Sequence, residues 1–263
     1  MNVALCCIGR LENRYALEFV KYYNNLGIDH IYIYDNNYDG EENFEDVLQS
    51  YIDSKFVSII NCRNKLSYQT IAYESCYYHY GNKYDYILFF DFDEYLVLKN
   101  NLSIKEYLSQ NNGFDVICIN WKIYDDNDLI YDDGRDCCIR FNHPSKFIDA
   151  NDVFKSIVKT KINNIKWATP HMPYVNNISK LKYCNNNFEK INFNNIDDIA
   201  VCYNESNAYL KHFLTKTASE FKHIKLLRGG GFMDINTYRS INLEQFFKIN
   251  NYNEQKNKIL NIL

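Results

Sequence analysis

The chain has 263 residues, 46% of them hydrophobic, enough for one substantial α/β core and, with no linker-like stretch, for a single domain. Its net charge of −4 gives no basic field for nucleic acid, which excludes that partner class. The nine cysteines are scattered and odd in number without a C-x-x-C pair, which argues against a full disulfide framework and for reduced, mostly buried thiols in a cytosolic protein.

The N-terminus Met1–Ile8 lacks a basic start and is too short for a secretory signal, so it is expected to form the first strand. Val3–Ile8 is a continuous apolar run ending at Gly9-Arg10, the pattern of a buried parallel strand and its exit loop. Tyr15–Leu26 carries Leu17, Phe19, Val20, Tyr23 and Leu26 at helical spacing and is closed by Gly27. Ile28–Tyr34 reads as the second strand, with the polar turn Asp35–Gly40 at its end. A helix over Phe44–Ile52, a strand over Phe56–Ile60 and an amphipathic helix over Tyr68–Tyr80 follow, and Tyr86–Phe90 is the next strand. Strands alternating with helices imply a mostly parallel sheet with right-handed crossovers.

The second half is less regular. Val116–Trp121 reads as a strand and is followed by the acidic stretch Tyr124-Asp125-Asp126-Asn127-Asp128. The Asn-rich stretches, including Asn185-Asn186-Asn187, read as loop, and the sequon Asn177-Ile178-Ser179 carries meaning only on a secretory route. Ala208–Leu227 is expected to be a helix, broken at Arg228-Gly229-Gly230-Gly231. No apolar run approaches membrane-spanning length, so membrane contact is expected to be peripheral at most, at the cytoplasmic face.

In open parallel sheets ligands bind beyond the carboxyl ends of the strands. Arg10, Asp35, Arg63 and Asp91 all stand at or just after such ends. The central feature is Asp91-Phe92-Asp93-Glu94, directly after the apolar run Tyr86–Phe90. Paired like charges at the end of a buried strand are costly unless a cation neutralises them, and carboxylates are hard oxygen ligands suited to Mg²⁺ or Mn²⁺. A solvated acidic turn is the plain alternative. The 24 tyrosines suit a sugar-binding cleft but equally a core or an interface.

Phe89-Phe90-Asp91-Phe92-Asp93-Glu94-Tyr95 resembles the D-x-D-E-[FY] segment of glycosyltransferase family 92 and related family 2-like enzymes of bacterial polysaccharide synthesis. Cys7–Tyr15, Glu18-Phe19-Val20 and Leu26–Asn36 resemble their first βαβ unit, and Gln69–Tyr73 the start of the helix before the metal strand. His212–Phe221 resembles their late H-[YF]-x-x-K-[ST] segment, so the pieces cover most of the chain in the family's order.

The resemblance implies a GT-A fold, with a nucleotide-sugar half over residues 1–100 and an acceptor half over 101–263. It implies a metal-dependent, inverting transfer of a sugar from a nucleotide-diphosphate donor, a UDP-sugar with UDP-galactose as the guess. The acceptor would be a glycan or lipid-linked glycan of a surface polysaccharide (capsule, lipopolysaccharide or O-antigen). Asp91 and Asp93 would hold Mn²⁺ or Mg²⁺ with the donor diphosphate, His212 would be a further metal ligand, and Lys216 would approach the diphosphate from the same helix face. Asp35 would meet the nucleotide, with Arg10 or Glu12 lining that pocket, and Arg63 and Lys65 are candidates for phosphate contact. Each of these also reads as an ordinary turn or salt-bridge residue.

Inverting transfer needs a carboxylate base. Asp126 is the first choice and Asp125 the second, although Tyr124–Asn127 departs from the small or glycine-containing segment usual in the family; Glu94 is their rival. Trp121 is a candidate sugar platform and His171 a second-half contact ranked below His212. Two other classes compete: a phosphatase or nucleotidyltransferase using the same acidic pair, and a non-catalytic sugar-binding protein.

Overall fold

The computed structural model describes residues 1–176, 180–226 and 243–251. The sequon at 177–179 and the break at 228–231 lie outside the described residues. Chain contacts divide the protein into two compact units, one of residues 1–121 and 151–210, the other of 122–150 and 211–263.

The first unit opens with the expected alternation. Strand β1 (Val3–Gly9) leads through helix α1 (Asn13–Leu26) to β2 (His30–Asp35), then through α2 (Glu45–Asp53) to β3 (Val57–Asn61). Helix α3 (Gln69–Tyr80) precedes β4 (Tyr86–Phe89), which is followed by β5 (Glu94–Leu98), α4 (Ile104–Ser109) and β6 (Val116–Ile123). Gly27 closes α1 in the left-handed conformation (φ 96°), where its N–H caps the helix carbonyls. Ser103 and Glu106 form a capping box at the start of α4.

Strands β1, β2, β3 and β4 pair in parallel, with β1 at the centre between β2 and β4. Each central strand is apolar on both faces because helices cover both.

Beyond β4 the sheet changes sense. The short helix α5 (Cys137–Arg140) belongs to the second unit, and the chain returns to the first through β7 (Phe154–Lys159), which inserts antiparallel between β4 and β6. The strands β8 (Lys166–Trp167) and β9 (Pro173–Tyr174) form a separate hairpin. The short strands β10 (Tyr183–Cys184) and β11 (Lys190–Ile191) extend the sheet past β6, giving the order β11-β10-β6-β7-β4-β1-β2-β3. Strand β12 (Ala208–His212), whose first three residues belong to this unit, pairs with β5 and β6. The result is α/β with a mixed sheet flanked by helices. Strands β6, β7 and β10, all beyond residue 100, join the same sheet as β1–β4. One core cluster runs from Ala4, Cys6 and Tyr34 through Tyr73, Ile87 and Phe89 to Phe154 and Trp167.

The expected helix over Ala208–Leu227 is corrected. Residues 208–212 are strand, Lys216 takes a positive φ of 52°, and only Ala218–Phe221 (α6) is α-helical, followed by a π turn over Lys222–Leu226. The cause is local chemistry: Thr217 accepts from the Glu220 N–H while the Glu220 carboxylate reaches back, a capping box that starts the helix at 218. His212 and Lys216 therefore do not share a helix face.

In the second unit, Ala218, Phe221, Leu226 and Phe246 form a small core. Arg140, with 0% exposure, is held bidentately by Glu220 at 2.9 and 2.8 Å, tying α5 to the cap of α6. Among the described residues no helix is long and apolar enough to cross a membrane.

Candidate functional site

The Asp91–Asp93 turn is fixed by its middle residue. Phe92, 2% exposed, packs on Phe19 (ring centroids 4.9 Å apart) and stacks on Phe44 (5.3 Å). This ring lies so close to the end of β1 that a Cβ on Gly9 would stand 2.6 Å from Phe92 Cε2. Glycine is required there because the backbone itself is the wall. Beside this apolar anchor, Asp91 is partly exposed, with 31% of its side chain open, and Asp93 is buried at 5%.

Asp91 is heavily engaged. Its Oδ1 accepts from Gln69 Nε2 at 2.7 Å and from the Tyr73 hydroxyl at 3.1 Å, both on α3. Its Oδ2 accepts from Lys155 Nζ at 2.7 Å. Lys155 is 0% exposed on β7, where the register that sets Phe89 opposite Ser156 brings it alongside the residues that follow β4. Burial pushes the Asp91 carboxyl up, but the Lys155 charge and hydrogen bond, with His171 helping, bring it below its ordinary value against repulsion from Asp93. Burial lowers the Lys155 ammonium, yet Asp91, Glu94 and Asp93 outweigh it and hold the ammonium above its ordinary value.

Glu94 completes the group from inside. Its side chain has 0% exposure; Oε2 accepts the Asp91 N–H at 2.8 Å and Oε1 accepts the Trp121 indole N–H at 2.7 Å. Burial drives its carboxyl well above the ordinary value; Lys155 opposes this, and Asp91 and Asp93 add to it. Trp121 in turn meets His171 edge-on, with ring centroids 5.3 Å apart, and His171 Nδ1 lies 2.7 Å from the Phe154 carbonyl. One cluster therefore joins α3, the β4–β5 turn, β6, β7 and the segment before β9.

The loops after β1, β2 and β3 form a second, braced cluster. Asp35 Oδ2 accepts from Arg63 Nε at 2.8 Å, and its Oδ1 accepts from the Asn37 backbone and side-chain N–H groups at 3.0 and 2.7 Å. Arg63 also donates to the carbonyls of Tyr38 (3.0 Å) and Glu42 and to Asn43 Oδ1 (2.8 Å). Arg10 grips Glu41 bidentately at 2.9 and 2.7 Å and lies 3.7 Å over the Tyr38 ring. Glu12 is buried at the N-cap of α1. Lys65 is exposed, and its carbonyl accepts from Asn36.

The remaining sequence candidates belong to the second unit and gather there. The Tyr124 N–H donates to the His212 carbonyl at 3.1 Å. Asn250 Oδ1 accepts from the Asp126 N–H at 2.9 Å and from the Thr215 hydroxyl at 3.3 Å. Asp126 is 1% exposed, and His212 and Lys216 are buried at 3% each. Asp125 is half-buried, and burial raises its carboxyl above the ordinary value.

The carboxylate oxygens of Asp91 and Asp93 have the hard-donor chemistry of a Mg²⁺ or Mn²⁺ site. Among the described residues no group of three or more His, Cys, Asp and Glu side chains could enclose an ion. An ion at the turn would thus take much of its shell from a ligand and water, which fits a metal that arrives with phosphates. Sequence reasoning missed Lys155, Gln69 as a side-chain donor, and Tyr73. The available signal for Lys155 was a basic residue within Phe154-Lys155-Ser156-Ile157-Val158, between Phe154 and the apolar pair Ile157-Val158.

The sequence profile described as glycosyltransferase family 92 matches residues 5–194. That span includes Asp35, Asp91, Asp93, Asp125, Asp126, Lys155 and His171, whereas His212 and Lys216 lie beyond it. A glycosyltransferase family 92 protein of Ricinus communis is 26% identical over 117 residues, 44% of this chain and 21% of that protein. The chain thus matches about a fifth of the length of that curated relative. Two structures of S. aureus TarS are similar at 11% identity. The 1–349 fragment in complex with UDP-GlcNAc has a TM-score of 0.45, covering 100% of this chain and 80% of that one. The other TarS structure has a TM-score of 0.44, covering 98% of this chain and 45% of that one.

Proposed function

The chain belongs to glycosyltransferase family 92, and we propose that it moves a sugar from a nucleotide-diphosphate donor, a UDP-sugar, to a glycan acceptor on a GT-A fold. The observation that carries this reading is the Asp91-Phe92-Asp93 turn, anchored by Phe92 against Gly9 at the carboxyl ends of the parallel strands β1 and β4. Such strand ends are where open α/β sheets bind ligands. Asp91 and Asp93 are the residues that would hold a divalent ion, which when bound neutralises charge on the leaving diphosphate. Around them, Gln69, Tyr73 and Lys155 orient Asp91, and Glu94 holds the turn through the Asp91 N–H.

Within this reading UDP-galactose is the first donor to test, the acceptor is a surface-polysaccharide glycan or its lipid-linked precursor, and the transfer is inverting. Asp126, with Asp125 as its alternative, is the candidate base, and the raised Asp125 carboxyl suits a group that takes up a proton. His212 remains a candidate ligand and Lys216 a candidate phosphate contact. The working compartment is the cytoplasm, with peripheral contact at the inner membrane face; the burial of most of the nine cysteines is compatible with reduced thiols.

The test is nucleotide release from a panel of sugar nucleotides with Mn²⁺, Mg²⁺ or EDTA. Metal-dependent release from one UDP-sugar, abolished in Asp93→Asn, is expected. Absence of both nucleotide release and metal-dependent nucleotide binding across the panel would remove the transferase reading in favour of a non-catalytic sugar-binding protein.

A further inference from the structure

We propose that Asn250 is the positioning residue of Asp126, holding the loop of that candidate base through the oxygen end of its carboxamide. What Asp126 does rests on the glycosyltransferase reading; what holds it in place rests on the geometry. All the residues concerned belong to the second unit.

Three observations carry it. The first is that the loop needs holding. Asn127 and Asp128 both take the left-handed conformation, at φ 54° and 58°, which residues other than glycine rarely adopt in succession. Local bonds shape this turn: the Asn127 N–H donates to Asp125 Oδ1 at 3.0 Å and the Asp128 N–H to Asp126 Oδ1 at 3.1 Å. On either side of Asp126 the chain is tied down, the Asp125 N–H to the His143 carbonyl at 3.1 Å and Asn127 Nδ2 to the Arg140 carbonyl at 3.2 Å. The Asp126 N–H itself donates to Asn250 Oδ1 at 2.9 Å, across 124 residues of chain.

The second is that Asn250 is itself firmly placed. It follows a helical stretch over 243–249, and its N–H donates to the Phe246 carbonyl at 3.1 Å. Phe246 is buried in the small core, with its ring centroid 4.6 Å from that of Phe221, and the Ile249 carbonyl accepts from the Ser145 hydroxyl at 2.6 Å. The third is that the carboxamide is engaged at one end. Oδ1 also accepts from the Thr215 hydroxyl at 3.3 Å, whereas Nδ2 is buried with no hydrogen-bond partner among the described residues. A backbone N–H can only donate, so the oxygen faces Asp126; turning the amide over would set N–H against N–H. An unfilled buried donor costs stability, and the acceptor at the other end is what the residue supplies in return. Asn250 thus acts through Asp126, by fixing where its backbone and therefore its carboxylate stand.

The experiment is a double-mutant cycle on metal-dependent nucleotide release by the full chain, with water as the nucleophile. Water must give up a proton as an acceptor hydroxyl does, so release reports on the base. Asn250→Ala should lower kcat by about tenfold or more and leave the donor KM within about twofold, because a displaced base weakens the chemical step and not binding. Asn250→Asp keeps an oxygen for the Asp126 N–H whether or not its carboxyl is ionised, and should bring kcat back to within about threefold of wild type. In the Asp126→Asn background, Asn250→Ala should cost no more than about a further twofold. A merely structural asparagine would lower kcat by the same factor with and without the Asp126 carboxylate. Asn250→Leu, close in shape to the carboxamide, serves in place of Asn250→Ala should the latter fail to fold by circular dichroism.

An unchanged kcat in Asn250→Ala overturns the inference, and so does an equal loss in both backgrounds. A folded Asn250→Asp as slow as Asn250→Ala also overturns it, because the nitrogen end would then be the working one. Full turnover by Asp126→Asn would remove the base that Asn250 is said to hold. Each of these outcomes sinks the inference and leaves the transferase reading standing, since wild type still releases nucleotide. No release from any donor by wild type would instead count against the transferase reading and take the role of Asn250 with it.

Discussion

Asp35 and Asp91 end neighbouring parts of one sheet, and each is paired with a basic side chain at 2.8 or 2.7 Å, yet the two pairs do different work. At Asp35 the partner is an arginine that spends its fork on the Tyr38 and Glu42 carbonyls and on Asn43 as well. That guanidinium knots the loop after β2 to the start of β3's exit loop, and Asp35 faces inward at 3% exposure. At Asp91 the partner is a buried lysine with one close carboxylate contact, and part of the aspartate stays open at 31%. A fork with several backbone acceptors is architecture; a single buried charge under an open carboxylate leaves an edge for chemistry.

The largest effect should separate the two regions outright. Asp93→Asn removes a carboxylate from the turn without touching the Asp35 knot. Metal-dependent nucleotide release should fall by about 10²- to 10³-fold, the scale for losing one electrostatic stabiliser of developing charge, while thermal stability changes little. Retained turnover would mean that the reaction does not depend on the Asp93 carboxylate.

Next in size is the opposite variant, Arg63→Met. It leaves Asp35 buried without its cation and frees the Tyr38 and Glu42 carbonyls, so about 3 kcal/mol or more of stability should be lost. Denaturant midpoints measure this, and Mn²⁺ affinity should be unchanged. A stable Arg63→Met protein with altered donor affinity would instead put Arg63 in contact with the nucleotide.

Gly9→Ala tests how the regions are joined. The new Cβ meets a Phe92 ring already confined by Phe44 and Phe19, so about 1–3 kcal/mol of overpacking is expected. Because Phe92 lies between Asp91 and Asp93, nucleotide release should drop by more than the stability loss explains. A purely thermal effect would show that the turn repacks.

The regular part of this architecture was legible in the sequence because its signals are local. Val3–Gly9, Asn13–Leu26 and Tyr86–Phe89 are apolar runs or stripes whose period and flanking residues state their own structure. The acidic turn was legible for the same reason. Lys155 was not, since its meaning comes from an antiparallel insertion of β7 between β4 and β6, a pairing across many residues that no local pattern encodes. The few apolar residues of Ala208–His212 fit a helix as well as a strand, and only the Thr217–Glu220 capping box marks where the helix starts. The site read from sequence was thus a list of carboxylates, and the structure supplied the cation that one of them already holds.

A third strand-end pair sets the lower end of the comparison. Arg10 after β1 holds Glu41 bidentately, but both side chains are partly exposed, at 17% and 23%. The Arg10 hydrogen bonds hold the Glu41 carboxyl below its ordinary value, against a smaller upward push from burial, with the Tyr38 N–H and the Arg63 charge helping. A carboxyl depressed in the folded state stabilises the fold fully only above its unfolded value, and that contribution fades as pH falls through the folded one. Arg10→Gln should therefore melt slightly below wild type at pH 7, by about 1 kcal/mol or less. The gap should narrow as pH drops below the ordinary value of 4.5 and close once Glu41 is protonated in both proteins. The Tyr38 N–H still donates to Glu41 in the variant, so the gap isolates the guanidinium. A gap that persists at low pH would assign the loss to the Arg10–Tyr38 ring contact, which does not titrate there, and would make this pair packing rather than charge.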